Sequence, residues 1–261
     1  MKLYHIGFGR SDLGSNPPRT VLLSGEPERS QYIARTYLQN AKLLSKYRGL
    51  NSYQGNLPDG TPLLIATSGM GASSLSIVVN ELVQVGIEQF IRIGTCGSIQ
   101  PYIPVGDLVI SQASLCRHGA ALDIAPVEYP AVADPFLTVA LVETGRQLNI
   151  PCHLGITASV DTFYEGQERT QSSANTHLQS WLQGITASYR QLNILNYEME
   201  VGTLFKMAGV YGFSAACICA VVAQRTAAET IVVADKAAAV QKAIQVALAT
   251  VSAARTPNYP D

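Results

Sequence analysis

Ile194-Leu195-Asn196-Tyr197-Glu198-Met199-Glu200 sets two carboxylates directly after an apolar stretch, and an apolar continuation follows through Val201, Leu204, Phe205 and Met207. The run reads as a strand that ends where a helix begins, the place where α/β proteins hold ligands. Helix N-termini favour acidic side chains, so one of the two glutamates suits a capping role. Two such roles are harder to place, because positions two apart on a helix point about 200° from each other. One glutamate can then serve the fold while the other faces a pocket. An ionised carboxylate is a pure acceptor, which suits a ligand rich in hydroxyls such as a sugar.

On either side, short β-rich runs alternate with helical patterns. Thr20 to Ser24 reads as a strand and Pro27 to Leu38 as a helix, and strand-like segments near 41–48, 51–56 and 62–67 form a meander. Leu75, Val78, Val79, Leu82 and Val85 give Ser73 to Val85 a helical spacing. Strands are expected at Gln89 to Ile93, Asp107 to Ala113 and 153–159, with a helix near 134–148. Phe213 to Val222 has the unbroken apolar character of a strand buried on both faces. Ala234 to Ala254 reads as a closing helix, and 255–261 as a loose tail. No linker or repeat divides the chain, so residues 1–261 are expected to form one three-layer α/β domain, a mixed central sheet flanked by helices. The polar, weakly periodic stretch from Gln171 to Asn193 reads as a long excursion beside the pocket.

Charged residues make up only 14% of the 261 residues, against roughly 25% in ordinary soluble domains, so surface buried against further copies of the chain is expected. A net charge of −1 gives no support for binding nucleic acid or a membrane surface. The five cysteines lack C-x-x-C spacing and the four histidines show no ligand spacing, so no metal site is expected. The N-terminal residues have no apolar core of a secretory signal, which places the chain in the cytoplasm by expectation.

Four clusters could carry chemistry. Ser24-Gly25-Glu26-Pro27-Glu28-Arg29 joins a strand to a helix, where Gly25 lets backbone approach an anion and Arg29 adds charge-assisted donors. The alternative is an ordinary turn with a surface arginine. Arg92-Ile93-Gly94-Thr95-Cys96-Gly97-Ser98 reads as a second glycine-containing turn. Arg92 sits in an apolar strand and needs an anionic partner, either a phosphate or a carboxylate such as Asp107. Cys96 has no accompanying signature of a nucleophile. Gly69-Met70-Gly71 lacks the third glycine of a dinucleotide fingerprint and reads as a helix-initiating turn lining a pocket. Phe163 to Arg169 groups an aromatic ring, an amide and a guanidinium. That set matches a flat heterocycle with carbonyl and imide groups, or else a polar loop anchored by its aromatics.

Taken in order, these clusters resemble the nucleoside phosphorylase superfamily over nearly the whole chain. The likeness runs from Tyr4-His5-Ile6-Gly7, through Gln100-Pro101 and Val105-Gly106-Asp107, to Gln224-Arg225-Thr226. Asn-Tyr-Glu-Met-Glu with Gly-Gln-Glu-Arg points to the pyrimidine branch, while Gln224-Arg225 stands where purine-specific relatives carry Ser-Asp. The resemblance implies phosphorolysis of uridine by inorganic phosphate, giving uracil and ribose 1-phosphate without a cofactor. It implies that Gly25, Arg29, Arg48, Arg92 and Thr95 bind phosphate, with Arg48 reaching across a dimer interface. Glu200 and Met199 would hold the ribose, and His5 from the neighbouring subunit its 5′ hydroxyl. Phe163, Gln167, Arg169, Cys96 and Gly97 would surround the base. Arg92, Gln167, Arg169 and Glu200 would carry catalysis in a homohexamer built as a trimer of dimers. A nucleosidase using water and a non-catalytic nucleoside-binding paralogue are the alternatives. The chain departs from the family pattern at Glu26 and Glu28, where aspartates are usual, and at Cys96, Gly49 and Val201.

Overall fold

A computed structural model describes residues 1–225, 229–231 and 233–253. The tail expected at 255–261 and Thr226, the last residue of the likeness, lie outside the described residues. Ten strands are described: β1 (Thr20–Ser24), β2 (Gln39–Ser45), β3 (Ser52–Asn56), β4 (Pro62–Thr67), β5 (Gln89–Ser98), β6 (Leu108–Arg117), β7 (Cys152–Val160), β8 (Ile194–Glu198), β9 (Ser214–Arg225) and β10 (Glu229–Ile231). They are covered by α1 (Pro27–Tyr37), α2 (Ala72–Gln84), α3 (Gly119–Leu122), α4 (Pro135–Gln147), α5 (Ile185–Gln191), α6 (Val201–Tyr211) and α7 (Val233–Ala253).

The strands lie in the order β10-β9-β6-β7-β8-β5-β1-β4-β3-β2, and β5 also pairs with β9. Parallel pairs (β4–β1, β1–β5, β5–β9, β6–β7, β7–β8) mix with antiparallel ones (β2–β3, β3–β4, β6–β9, β5–β8, β9–β10). The mixed sheet expected from the sequence is therefore present, with one feature beyond it. Five strands, β5-β9-β6-β7-β8, close on themselves, because the end of β5 reaches β8 at Gly97–Tyr197 and Ser98–Asn196. A register shift between Cys96 and Gly97 against β9 bends the strand there, as bulges do.

Two apolar layers sandwich the sheet. Val21, Leu23, Phe90 and Cys217 face the buried sides of α2 and α6, where Leu75, Val79, Leu82, Leu204 and Phe205 are fully covered. Leu22, Ile65, Ile91 and Ile218 face α1, α4 and α7 through Ile33, Leu141, Ala243 and Ala247. Successive residues of a strand feed opposite layers, as the period of two requires. The helix starts follow local chemistry. Pro27 opens α1, and Asp134 caps α4 by accepting from Phe136 N and Leu137 N, each at 2.9 Å.

Three sequence expectations need correction. Gly94 to Ser98 is not a turn but the continuation of β5, because its backbone is paired with β9 and, at its end, β8. The strand read over 41–48 stops at Ser45 and gives way to a 3-10 turn at Tyr47–Gly49, where Arg48 has a left-handed φ of 56°. Residues 171–193 include a 3-10 turn at Ser180–Leu182 and the helix α5.

Candidate active site

The carboxyl ends of β1 and β5, the start of α1, the segment after β7 and the β8–α6 junction converge on a cleft of about 240 Å³. Gly25, Arg29, Arg92, Thr95, Cys96, Gly97, Phe163, Gln167, Arg169, Met199 and Glu200 all line it. His5 and Arg48 do not.

At one end stand Arg29 and Arg92. Arg29 lies on the first turn of α1, almost wholly buried, with Nη1 donating to Ile93 O at 3.1 Å and Nη2 3.0 Å from Glu26 Oε1. Burial lowers its pKa, opposed by the Glu26 charge. Arg92 projects from β5 with Nη1 donating to Ser68 Oγ at 3.1 Å and Nη2 to Glu200 Oε2 at 2.6 Å. Burial works against its charge, but Glu200 and Glu198 outweigh it and hold its pKa above the ordinary value. The carboxylate partner is thus Glu200 rather than Asp107, which pairs with His153 at 2.8 Å. Gly25 keeps the space beside Arg92 open, since a Cβ there would stand 3.6 Å from Arg92 Nη2 and 3.5 Å from Gly69 O.

The two glutamates of the deciding stretch divide their work. Glu198 ends β8, and its Oε2 accepts from Glu200 N and Val201 N, both at 2.8 Å, so this carboxylate caps α6. Ser159 Oγ bonds to its other oxygen. Burial, then the neighbouring Glu200 charge, pushes Glu198 up to about 8. Glu200 turns the other way, into the cleft, taking Gly71 N at 2.7 Å on Oε1 and Arg92 on Oε2. Each oxygen keeps a further lone-pair direction for a ligand hydroxyl. Gly71, at the N-cap of α2 with φ 84°, brings the Gly69-Met70-Gly71 turn to the cleft, which Met70 also lines.

At the other end Arg169 stacks over Phe163 with its Cζ 4.1 Å from the ring centroid. Arg169 Nε donates to Gln167 Oε1 at 3.2 Å, which orients the amide and leaves Gln167 Nε2 to donate. Burial, then the nearby Arg225, lowers Arg169 to about 10, so it stays charged at neutral pH. Glu168 pins this segment to the excursion that follows, accepting from Gly184 N at 2.6 Å and Thr186 N at 2.7 Å. Gly97 lies beneath, where a Cβ would come within 3.3 Å of Arg225 Cδ and 3.5 Å of Arg169 Nη2. The Cys96 thiol is driven well above its usual pKa by burial, which suits packing and not nucleophilic attack.

Several contributors had no role in the sequence reading. Tyr197, Val222 and Ala223 also line the cleft. Tyr197 stood inside the quoted motif, and strand alternation from Glu198 could have assigned it a face. Ser68, the partner of Arg92, comes from a loop whose proximity the sheet order reveals, and the Gly71 amide gives the turn expected to line a pocket its partner in Glu200.

His5 and Arg48 share a different surface. His5 Nδ1 lies 2.6 Å from Glu81 Oε1, and the His5 and Ile6 amides donate to the same carboxylate. The Tyr4 ring stands edge-on to His5 at 4.8 Å, and Arg48 Cζ sits 5.9 Å from the Tyr4 and Tyr47 rings. Among the described residues, no helix is long and apolar enough to cross a membrane, and no group of three or more His, Cys, Asp or Glu is placed to hold a metal ion.

The cleft thus brings two buried arginines, an inward carboxylate and a ring-and-amide cluster together on one mixed sheet. Residues 19–254 match the family described as Phosphorylase superfamily, and the chain belongs to it. It is 39% identical over 227 residues to a uridine phosphorylase of Klebsiella aerogenes, covering 87% of this chain and 88% of that one. A uridine phosphorylase of Thermococcus kodakarensis is 38% identical over 226 residues, 87% of this chain and 79% of its own. A guanosine phosphorylase of Halorubrum lacusprofundi is 31% identical over 201 residues, 77% and 76% respectively.

Proposed function

We propose that the protein catalyses phosphorolysis of uridine to uracil and ribose 1-phosphate. The observation that carries this reading is the Arg92–Glu200 contact, which sets a cation and a hydroxyl acceptor side by side between the arginine end and the base end of one cleft. Similarity to uridine phosphorylases over 87% of the chain supports the choice of nucleoside.

In this reading phosphate lies against Arg29, Arg92 and Thr95, while Glu200 accepts from the 2′ and 3′ hydroxyls beside the Met199 backbone. A phosphate oxygen bonds to C1′ as the C1′–N1 bond breaks through an oxocarbenium-like state. The bonding pair stays on the uracil, and the proton of hydrogen phosphate ends, in net balance, on uracil N1. Arginines around the nucleophile hold it in line and, through it, steady the cationic sugar. The Gln167 amide and the charged Arg169 meet the uracil carbonyls, where negative charge grows only in the transition state. Phe163 backs the ring.

His5 and Arg48 fit this scheme as contributions from a second copy of the chain. His5 is held at Nδ1 by Glu81, so its Nε2 edge is the one free to meet a 5′ hydroxyl. The minimal unit is then a dimer, and a hexamer made of three such dimers is the assembly proposed, working as one domain per chain in the cytoplasm.

Incubation of the purified protein with uridine, with and without phosphate, tests the reading. Uracil release that requires phosphate supports it. Equal release without phosphate identifies a nucleosidase, and binding without release identifies a non-catalytic paralogue.

A further inference from the structure

Glu26 is the N-cap residue of α1, yet its side chain makes no capping hydrogen bond to the helix. The short side chain of Asp, Asn, Ser or Thr at that position satisfies first-turn N–H groups, and the longer Glu26 carboxylate does not. Here it reaches over the first turn to Arg29 Nη2 at 3.0 Å, and the same oxygen lies 3.8 Å from Lys236 Nζ on α7. Arg29 is almost wholly buried and its Nη1 is committed to Ile93 O, which leaves the Nη2 edge to meet a ligand in the cleft. That edge is the one Glu26 occupies. The Glu26 side chain is 45% exposed, so it is free to swing, whereas that of Arg29, at 6%, is not.

We propose that Glu26 is a built-in competitor for phosphate: its carboxylate holds Arg29 in the free enzyme and passes to Lys236 when phosphate arrives. The exchange is anion for anion. A phosphate dianion replaces a monoanion at a guanidinium whose burial makes any anion there valuable. The displaced carboxylate need not be left unpaired, because Lys236 already stands beside it. Glu26 thereby sets how much phosphate is needed before the cleft loads, and couples loading to the start of α7. A negative side chain in the cleft also discourages weakly bound monoanions, which cannot outbid it at Arg29.

This rests on the proposed reading of the cleft as a phosphate site, and direct binding of inorganic phosphate separates the two. Titration calorimetry on the full chain is compared for native protein, Glu26→Gln, Lys236→Gln and the double variant. Glu26→Gln is expected to tighten phosphate at least about threefold, the scale of a partly exposed ion pair. Lys236→Gln is expected to weaken it, and the double variant to match Glu26→Gln alone, since Lys236 has no role once the carboxylate is gone. In the uracil-release assay the phosphate KM should fall in Glu26→Gln while the uridine KM stays put. Phosphate binding in the native protein that is unchanged or weaker in Glu26→Gln overturns the exchange and leaves the phosphate site standing. Absence of phosphate binding in both proteins overturns the two together.

Discussion

Arg92 Nη2 donates to Glu200 Oε2 at 2.6 Å across 108 residues of sequence, tying the middle of β5 to the residue that precedes α6. The contact is wholly buried, with side-chain exposures of 5% and 7%. The group that would steady an oxyanion and the group that would take sugar hydroxyls therefore fix each other before any ligand enters. Pre-orientation of this kind removes reorganisation from the reaction step.

Removing one member of that pair should be costly twice over. Arg92→Ala is expected to lower kcat/KM for phosphorolysis by at least about 10²–10³-fold. It should also destabilise the fold by about 3–5 kcal/mol, the cost of leaving a buried charge without its partner. Steady-state uracil release and chemical denaturation measure the two effects. Near-native turnover in a folded variant would refute the role of Arg92.

Gln167→Ala leaves uracil carbonyl and imide groups without their partner and frees the Arg169 Nε–H that the amide now accepts. The expected loss is about 1–3 kcal/mol of preference for uridine, read as the ratio of kcat/KM for uridine to that for inosine. A ratio that does not move would place the base elsewhere.

The Glu198 carboxyl gives a pH signature of stability. Its folded pKa, about 8, lies above the ordinary 4.5, so between these values the folded state holds a proton that the unfolded chain has released. The stabilisation is full below about 4.5 and is lost as pH rises through 8. Thermal melts from pH 5 to 9 should therefore show a decline across pH 5 to 8 that levels off above it and is flatter in Glu198→Gln, which keeps an acceptor for the α6 amides. Parallel curves for the two proteins would contradict the raised pKa.

Sharing of sites between copies is testable by mixing. Arg48→Ala and Arg92→Ala are each expected to be nearly inactive alone. In a hybrid dimer one site receives both intact arginines and the other neither. Co-refolded mixtures should regain activity, and a mixture no more active than its parents would show that Arg48 serves its own chain.

Elements with strong periodicity were legible in the sequence: α2 from its Leu75–Leu82 face, β9 from its apolar run, and the strand–helix junction from Glu198 and Glu200. Some residues of the cleft were also legible, because Gly25, Arg29 and Arg92 carry a local chemical signature, while Tyr197, Val222 and Ala223 were not. What the sequence concealed was pairing. Whether Gly94 to Ser98 turns or continues depends on β8 and β9 arriving beside it, and backbone hydrogen bonding there overrides the glycine content. Arg92 could have met any of several acids, and only the sheet order brings Glu200 to it and sends Asp107 to His153. His5 and Arg48 line no part of the cleft in their own chain, and the assignment of both to a second copy rests on the resemblance.

Strand β5 belongs at once to the open sheet and to the closed ring, and it carries Arg92, Thr95 and Gly97 in one extended run. At about 3.3 Å per residue the strand sets the spacing of these three residues, with the bend between Cys96 and Gly97 turning the last of them. In the proposed reading, two of the residues that would hold the phosphate are mounted along this strand, with Gly97 at the end that faces Arg169.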